Sequence, residues 1–303
     1  MVPVEIVNAV KEGRCILFLG AMASAPSPDG CKYVYEKSKA PPGSGDLSRR
    51  LARIAGYDGD DVTNLQRTAL YAEFYERGDV KGSRKALIDA VAREIARPLD
   101  TTPEGFQIEP SAALSMLAAL PFRIIITTNY DHLFDRALGD ARTRDERRKD
   151  PLIRIYDPTR TSPPEEVPVD PEEHKPVLLK LHGDIDKPET IVITEEDYIT
   201  FVQRMASLHL HPVHEYIRMR MRAWPFLFIG YSLRDYNLRL LFRTLKWGMD
   251  VAHLPLSFSV DPSPDNLIVA VARRGGQREV DFINEDLWTF VPELYKAVIG
   301  KDF

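Results

Sequence analysis

The stretch that most constrains this chain is residues 124–131, IIITTNYD, where an apolar, β-branched run stops abruptly at an asparagine and an aspartate. Runs of this kind are typical of strands that are buried on both faces, as in parallel sheets covered by helices. In open parallel sheets, ligands bind beyond the carboxyl ends of the strands. The stretch therefore predicts an α/β fold with a ligand site at the end of this strand.

Three other apolar runs end in the same way, at residues 15–24, 177–184 and 226–235. They finish in a small-residue turn, in His-Gly-Asp and in Gly-Tyr-Ser. Because parallel strands point in one direction, we expect the four carboxyl ends to meet at one rim. The rim would then assemble a single site from residues at the four strand ends: Gly20, Ser24, Asn129, Asp131, His182, Gly230 and Ser232.

The charge balance and the cysteine count exclude several classes of protein. Forty Lys and Arg residues against 45 Asp and Glu give a net charge of −5, which argues against a surface built to hold nucleic acid or anionic lipid. Two cysteines, Cys15 and Cys31, cannot form a four-thiolate zinc site. Since no apolar run has the length that spans a bilayer, we expect a reduced, cytoplasmic protein without a membrane segment.

A long insertion separates the first two predicted strands. Residues 27–46 are rich in Pro, Gly and Ser and predict a loop, and residues 47–98 follow a helical pattern with Asp46 and Asn64 as candidate caps. We interpret the helices as a module over the ligand site, although ordinary crossover helices are the alternative. The chain would then be a single domain, residues 1–303, with a core of residues 1–28 and 111–303 and an inserted loop and helical module of residues 29–110.

Two further patterns have simpler interpretations. Residues 189–198 predict a β-run that leads into a helix capped by Thr194. His209, His211 and His214 cluster at spacings that Pro212 interrupts, and they lack the HExxH arrangement of a zinc site. We interpret these histidines as structural or surface residues, so the sequence predicts no metal site.

The ordered set of four motifs, GAMAS, ITTNYD, KLHGD and IGYS, resembles the NAD-binding core of the sirtuins. The resemblance is closest to the zinc-free, sirtuin-like (Sir2-family) domains of bacterial anti-phage defence, and it covers roughly residues 15–25 and 120–261. It implies a Rossmann-like, mostly parallel sheet with helices on both faces and an inserted helical module. It also implies NAD as substrate without zinc, a homo-oligomer, a HerA-type ATPase partner, and contact with nucleic acid only through a partner.

The resemblance also assigns roles to residues of this sequence. Asn129 would hold the nicotinamide ribose or a water beside it, Asp131 the carboxamide, and His182 would act as the general base. The remaining NAD contacts would be Gly20, Ala21 and Ser24 at the pyrophosphate, Gly230 and Ser232 at the phosphate and adenosine-ribose side, and also Thr128 and Asp261.

The function implied is hydrolysis of NAD+ to nicotinamide and ADP-ribose by an abortive-infection effector. Nicotinamide leaves through an oxocarbenium-like transition state, which requires an oriented dipole, a base and a closed pocket. An asparagine and a histidine supply the dipole and the base. The alternatives are an NAD-dependent protein deacylase and a non-catalytic nucleotide sensor within a defence complex.

Two departures from the sirtuin pattern affect these expectations. Met22 stands where the pattern has a second glycine, and its side chain could narrow the pocket. The four-cysteine zinc module of protein deacylases is missing, which places hydrolysis of NAD ahead of deacylation. A simpler role is also open for Asp131, as the cap of a helix that begins at His132.

Overall fold

Seven short strands build one sheet in the computed structural model, which describes residues 2–98, 108–207, 209–231, 255–273 and 279–303. The strands are β1 (Ile16–Leu19), β2 (Ile124–Thr127), β3 (Leu152–Ile155), β4 (Val177–Lys180), β5 (Phe226–Ile229), β6 (Ser257–Val260) and β7 (Val280–Ile283). Their order is β3-β4-β2-β1-β5-β6-β7, and every pairing among these described strands is parallel. The predicted α/β class and parallel sheet are confirmed.

The register places the four predicted strand ends at one level. Leu19 at the end of β1 pairs with Thr127 of β2 and with Ile229 of β5. On the far side of β2, Thr127 pairs with Lys180 of β4. The turns that follow these strands therefore leave the sheet side by side, which confirms the expectation of a common rim.

Helices cover both faces of the sheet. Their bounds are α1 (Val4–Lys11), α2 (Ser44–Ala55), α3 (Leu65–Phe74), α4 (Arg84–Ile95), α5 (Ala112–Ala119), α6 (Leu133–Asp140), α7 (Glu195–Met205), α8 (Glu215–Ala223), α9 (Asn266–Ala272) and α10 (Leu287–Ile299). Asn64 caps α3, because its side chain accepts a hydrogen bond from the Arg67 N–H. Thr194 caps α7 in a capping box with Asp197.

Two expectations about local structure are wrong. Helix α2 begins at Ser44 with Gly43 as its N-cap, so Asp46 lies in the first helical turn and is not the cap. Residues 191–193 are buried but form no strand, since they follow a short 3-10 helix, Pro188–Thr190. Ile191 and Ile193 pack against helices α2 to α4, whereas Val192 packs in the cluster that contains Phe201 of α7. The Val192 N–H donates to His182 O and its carbonyl accepts from Tyr130 Oη, so the backbone of this segment is not available to pair with a strand.

Side-chain alternation along β1 divides the core into two layers. Leu17 and Leu19 face a cluster that includes Leu117 of α5 and Phe290 of α10. The intervening positions, Ile16 and Phe18, face the opposite cluster with Phe201 of α7 and Ile217 of α8. Burial of each such side chain stabilises the fold by about 1.5–3 kcal/mol. The period-2 pattern thus accounts for helices on both faces.

Helices α2, α3 and α4 form a third cluster beyond the carboxyl ends of the strands. Leu51, Ala69 and Val91 pack together and against Tyr130 and Ile193, which follow β2 and β4. The helical segment therefore lies next to the rim of the sheet. The assignment of residues 29–110 as a separate module stays a prediction. Within the described ranges, no helix combines the length and the apolar character that crossing a membrane requires.

Candidate functional site

A cavity of about 180 Å³ opens at the carboxyl ends of the central strands, and we call it the Asn129 cavity. Its inner wall comes from the turns after β1, β2, β4 and β5, and its outer wall comes from the loop before α2 and from α2, α3 and the end of α4. Among the residues that line it are Ala21, Met22, Pro42, Leu47, Leu65, Thr128, Asn129, Asp131, His182, Tyr198, Gly230 and Tyr231. Ala21, Thr128, Asn129, Asp131, His182 and Gly230 were all predicted from the sequence.

The turn after β1 packs directly against the turn after β5. The Met22 N–H donates to Gly230 O at 3.0 Å, and the Gly20 N–H donates to Ile229 O at 3.0 Å. Gly230 has a φ of 75°, and a β-carbon there would overlap the backbone of Ala23. Glycine is therefore required for the two turns to meet.

Met22 borders the cavity without closing it. Its side chain is 51% exposed, and the sulfur lies beside Gly43, 3.0 Å from where a β-carbon on that residue would stand. Ser24 of the same turn is buried and does not line the cavity. The thioether thus borders the start of α2, and the space between Asn129 and His182 stays open.

Asn129 is held by both its backbone and its side chain. The backbone N–H donates to Thr127 Oγ1 at 3.0 Å, and Nδ2 donates to Gly20 O at 3.1 Å. With Nδ2 bound to the β1 turn, the carbonyl oxygen Oδ1 is the part of the amide that is available to a ligand. The structure therefore orients this amide before any ligand binds.

His182 is buried at the end of β4, with 6% of its surface exposed. Tyr198 Oη lies 3.3 Å from Nδ1, whereas Nε2 is buried with no hydrogen-bond partner in the described part of the chain. Burial lowers the pKa of His182 to about 3, although the nearby carboxylate of Asp197 acts to raise it. The imidazole is therefore neutral near pH 7 and has one nitrogen unused.

Asp131 binds the start of helix α6 and also lines the cavity. Oδ1 accepts a hydrogen bond from the Leu133 N–H at 2.9 Å, as the capping interpretation requires, although the N-cap position of α6 is His132. The same residue lines the Asn129 cavity. One carboxylate oxygen is thus committed to the start of α6, and the other is available at the cavity.

Lys180, which the sequence analysis did not single out, fixes the loop that carries Asn129 and Asp131. The side chain is fully buried, and Nζ donates to Asp131 O at 2.8 Å and to Tyr130 O at 3.3 Å. It also donates to Asp184 Oδ2 at 2.6 Å and lies 3.5 Å from Asp135 Oδ2. A lysine within the otherwise apolar run VLLKL was the available signal, because a buried ammonium group requires partners.

A short chain of charged groups extends from Lys180 to the surface. His132 Nε2 lies 2.8 Å from Asp184 Oδ1, and this contact raises the pKa of His132. Burial alone would raise the pKa of Asp184, but hydrogen bonds from His132 and Lys180 outweigh burial and hold that pKa well below its ordinary range. Atoms of His132, Asp184 and Asp186 approach within 4.8 Å of one another, yet Lys180 already balances the Asp184 charge. We therefore interpret this trio as an ion-pair network.

The other predicted contacts are placed differently. Thr128 Oγ1 lies 2.6 Å from Tyr231 Oη at the cavity wall. Asp261 follows β6, does not line the cavity, and accepts the Ser263 N–H within its own turn. Ser232 lies outside the described residues. His211 and His214 accept backbone N–H groups of Val213 and Tyr216, respectively, which is a structural use of both rings.

Comparison with known proteins finds the SIR2-like domain and several curated relatives. The family model of the SIR2-like domain matches residues 123–279, just over half of the chain. The "NAD(+) hydrolase ThsA" of Enterococcus faecium is 30% identical over 143 residues, 47% of this chain and 26% of that protein. The protein of the same name from Acinetobacter baumannii is 27% identical over 77% of this chain and 39% of its own length. "Defense-associated sirtuin 2" of Bacillus subtilis is 25% identical over 97% of this chain and 26% of its own length.

The chain spans between about a quarter and two fifths of the length of these curated relatives. A solved structure of a Sir2 enzyme aligns with 97% of this chain and 95% of its own, at 12% identity and a TM-score of 0.43. The family model covers β2 to the residue before β7, the region that supplies Asn129, His182 and Gly230. The chain belongs to the SIR2-like domain family.

Proposed function

We propose that the Asn129 cavity binds NAD+ and hydrolyses it to nicotinamide and ADP-ribose. One observation carries the proposal: His182, which is buried and neutral and has an unpartnered Nε2, and Asn129, whose amide is already oriented, line the same cavity. Three relatives that bear the name NAD(+) hydrolase support the choice of substrate.

The proposed reaction breaks the bond between the anomeric carbon of the ribose and the nicotinamide nitrogen, which keeps the electron pair. Water supplies the oxygen that bonds to the carbon, and its proton passes to His182 Nε2. Asn129 Oδ1 stabilises the positive charge that develops on the ribose, because an oriented dipole in a site of low polarity acts strongly on such charge. The apolar side chains of Leu47 and Leu65 exclude bulk water.

The remaining roles are proposed as the sequence suggested them. Asp131 accepts a hydrogen bond from the nicotinamide carboxamide through the oxygen that does not bind Leu133. Gly20, Ala21, Thr128 and Gly230 surround the phosphates and ribose. Ser24, Ser232 and Asp261 are proposed as further contacts to the phosphates and the adenosine ribose. Ser24 is buried and Asp261 does not line the cavity, while Ser232 lies outside the described residues.

A pKa of about 3 makes His182 a weak base before NAD+ binds. The pyrophosphate of NAD brings two negative charges into a buried site, and nearby negative charge raises the pKa of an imidazole. Substrate binding therefore moves His182 toward the range in which a general base is effective. Tyr198 assists if it accepts a hydrogen bond from Nδ1–H, because that tautomer leaves the Nε2 lone pair directed at the substrate.

The test is turnover of NAD+ by the purified chain and by His182→Ala and Asn129→Ala variants. Each variant should lose at least 100-fold in kcat while keeping its fold, since removal of a general base or of one stabilising dipole has effects of about that size. His174→Ala is the matched control, because His174 pairs with Glu172 outside the cavity. Tight NAD+ binding without turnover, unchanged by His182→Ala, would favour the nucleotide sensor instead.

We further propose that the protein is a cytoplasmic effector of anti-phage defence, as the name of the Bacillus subtilis relative suggests. In this proposal it forms a homo-oligomer and assembles with a HerA-type ATPase, through which it meets nucleic acid. We also propose that the protein hydrolyses NAD+ without a zinc ion. Co-expression with a HerA-type ATPase should yield a complex that hydrolyses NAD+ during infection. A monomer that purifies alone after this co-expression would contradict the proposed assembly.

A further inference from the structure

A second cavity lies on the β3 side of the sheet, and none of its lining residues lines the Asn129 cavity. We call it the Arg154 cavity. Its walls come from β3 and β4, the proline-rich segment 161–167, the end of α7 and the chain before α8. The side chains that matter here are Arg154, Tyr156, Arg160, Glu165 and Arg204.

Three arginines face the Arg154 cavity, and one carboxylate bridges two of them. Glu165 Oε1 lies 2.8 Å from Nη2 of Arg160, and Glu165 Oε2 lies 3.5 Å from Nη1 of Arg154. The glutamate side chain is 52% exposed, whereas those of the two arginines are 23% and 25% exposed. A solvent-facing loop carboxylate thus bridges two guanidinium groups that are mostly buried, in the manner that a phosphate would.

Tyr156 lines the same cavity and has an unused hydrogen-bond donor. Its side chain is 5% exposed, and Oη has no hydrogen-bond partner within the part of the chain that is described. Burial raises the pKa of Tyr156 to about 12, while the Arg204 guanidinium acts in the opposite direction. The phenol is therefore a neutral O–H donor beside an arginine. Buried polar groups normally have partners, so this donor points to a ligand that supplies an acceptor.

The size of the cavity determines how a ligand would enter. The present volume of about 30 Å³ has room for one or two water molecules and not for a phosphate group. A ligand must therefore replace the Glu165 carboxylate. The segment that carries Glu165 forms neither helix nor strand, so the exchange breaks no regular structure.

We propose that the Arg154 cavity binds a phosphate monoester, and that the Glu165 carboxylate holds the place of the phosphate when the ligand is absent. Arg154 and Arg160 would each donate to the phosphate, with Tyr156 Oη and Arg204 as further donors. The site is separate from the Asn129 cavity. It does not rest on the proposed hydrolysis of NAD+.

Helix α7 connects this site to the Asn129 cavity. Tyr198 and Arg204 each lie three residues from Phe201 on α7, so both are neighbours of Phe201 on the helix surface. The Phe201 ring packs edge-on against both Tyr156, at 5.1 Å between centroids, and His182, at 5.6 Å. A phosphate that draws in Tyr156 and Arg204 therefore shifts rings that contact His182.

The experiment titrates the full chain with inorganic phosphate by calorimetry at constant ionic strength. Glu165→Gln should bind phosphate at least tenfold more tightly than wild type, because the competing carboxylate is gone. Glu166→Gln is the matched control: it removes the same charge one residue away, where Glu166 contacts His214. Arg160→Met should abolish binding, and Tyr156→Phe should weaken it. Equal affinity of the Glu165→Gln and Glu166→Gln chains, or a phosphate affinity that Arg160→Met leaves at the wild-type value, would overturn the site.

The coupling is measured in the same samples from the imidazole nitrogen signals of His182. Phosphate should shift these signals in wild type and leave them unchanged in Arg160→Met. A shift that persists in Arg160→Met would mean that phosphate enters the Asn129 cavity directly, and it would overturn the connection through α7. So would constant signals at saturating phosphate. NAD+ turnover is not needed for either readout, so a failure here is distinct from a failure of the proposed function.

Discussion

Lys180→Met is the substitution whose outcome follows most directly from the structure. The native ammonium group is fully buried and donates to two carboxylates and to the backbone carbonyls of Tyr130 and Asp131. Methionine fills a similar volume and supplies no donor. The substitution therefore leaves Asp184 and Asp135 facing each other without the positive charge between them.

The expected loss of stability is that of breaking a buried ion pair by removal of one partner, about 3–5 kcal/mol. Asp184 keeps its contacts with His132 and with the Asp186 N–H, which places the estimate toward the lower end. Unfolding entropy of about 2.1 cal/mol/K per residue gives roughly 0.6 kcal/mol/K for a chain of 303 residues. A loss of 3–5 kcal/mol then lowers the Tm by about 5–8 °C.

Thermal unfolding and NAD+ turnover should be measured together, with Lys149→Met as the matched control. Lys149 is also buried, but Nζ donates to the carbonyls of Ala118 and Leu120 at the end of α5, away from the Asn129 cavity. Burial lowers the pKa of Lys149 to about 8. Removal of Lys149 leaves carbonyl groups without a donor but no buried carboxylate without its cation. The control should therefore lower the Tm by less than Lys180→Met does, and its turnover below the Tm should match wild type. Lys180→Met should lose turnover at the same temperature, because the loop that carries Asn129 is no longer held.

Two results would contradict the roles that we assign to Lys180. If Lys180→Met unfolds within 1 °C of wild type, the buried carboxylates do not depend on the ammonium group. If it loses stability as expected but keeps full turnover, Lys180 supports the fold without positioning Asn129. Circular dichroism at 20 °C separates both results from global unfolding.

Three further predictions follow from the same region. The kcat/KM of NAD+ hydrolysis should show no loss near pH 6.5, where an ordinary imidazole becomes protonated. The pKa of His182 is lowered to about 3, so the ring stays neutral down to acid pH. A fall of kcat/KM centred at pH 6–7 would contradict this. The hydrogen bond to Asp184 raises the pKa of His132, so the contact stabilises the fold below pH 6.5 and the benefit disappears as pH rises through the folded-state pKa. Chemical denaturation should therefore show wild type losing its advantage over His132→Gln as the pH rises above 6.5. Gly230→Ala should be destabilised by more than 1 kcal/mol in the same assay, since φ is 75° and a β-carbon would overlap the backbone of Ala23, whereas a neutral result would show that the two turns can separate.

The strand ends were predictable because the physical rules behind them are local. Residues 124–127 and 226–229 are rich in β-branched or aromatic apolar side chains, a composition that favours strands buried on both faces. Parallel strands then bring the residues after them to one rim, whatever their order. Asn129, His182 and Gly230 therefore appear together at the cavity, as the sequence indicated.

The details of the site depended on contacts between distant residues. Ser24 and Asp261 belong to the predicted strand ends as clearly as Asn129 does, yet the first is buried beneath its turn and the second accepts a hydrogen bond from its own turn. Residues 191–193 have a β-forming composition, but Ile191 and Ile193 pack against α2 to α4 and the backbone of Val192 is bonded to His182 O and Tyr130 Oη. The β-propensity of a segment decides whether it forms a strand only where tertiary packing allows either conformation.

The parallel α/β architecture and the polar residues that follow its strands were predictable from the order of the amino acids, because hydrophobic periodicity is a property of short segments. The chemical state of those residues was not, because it depends on contacts across the fold. The neutral charge of His182, the fixed amide of Asn129, the partners of Lys180 and the arginine pair around Glu165 all arise from burial and from groups brought together across the fold. Desolvation and charge proximity act through space, so no reading of neighbouring residues reveals them.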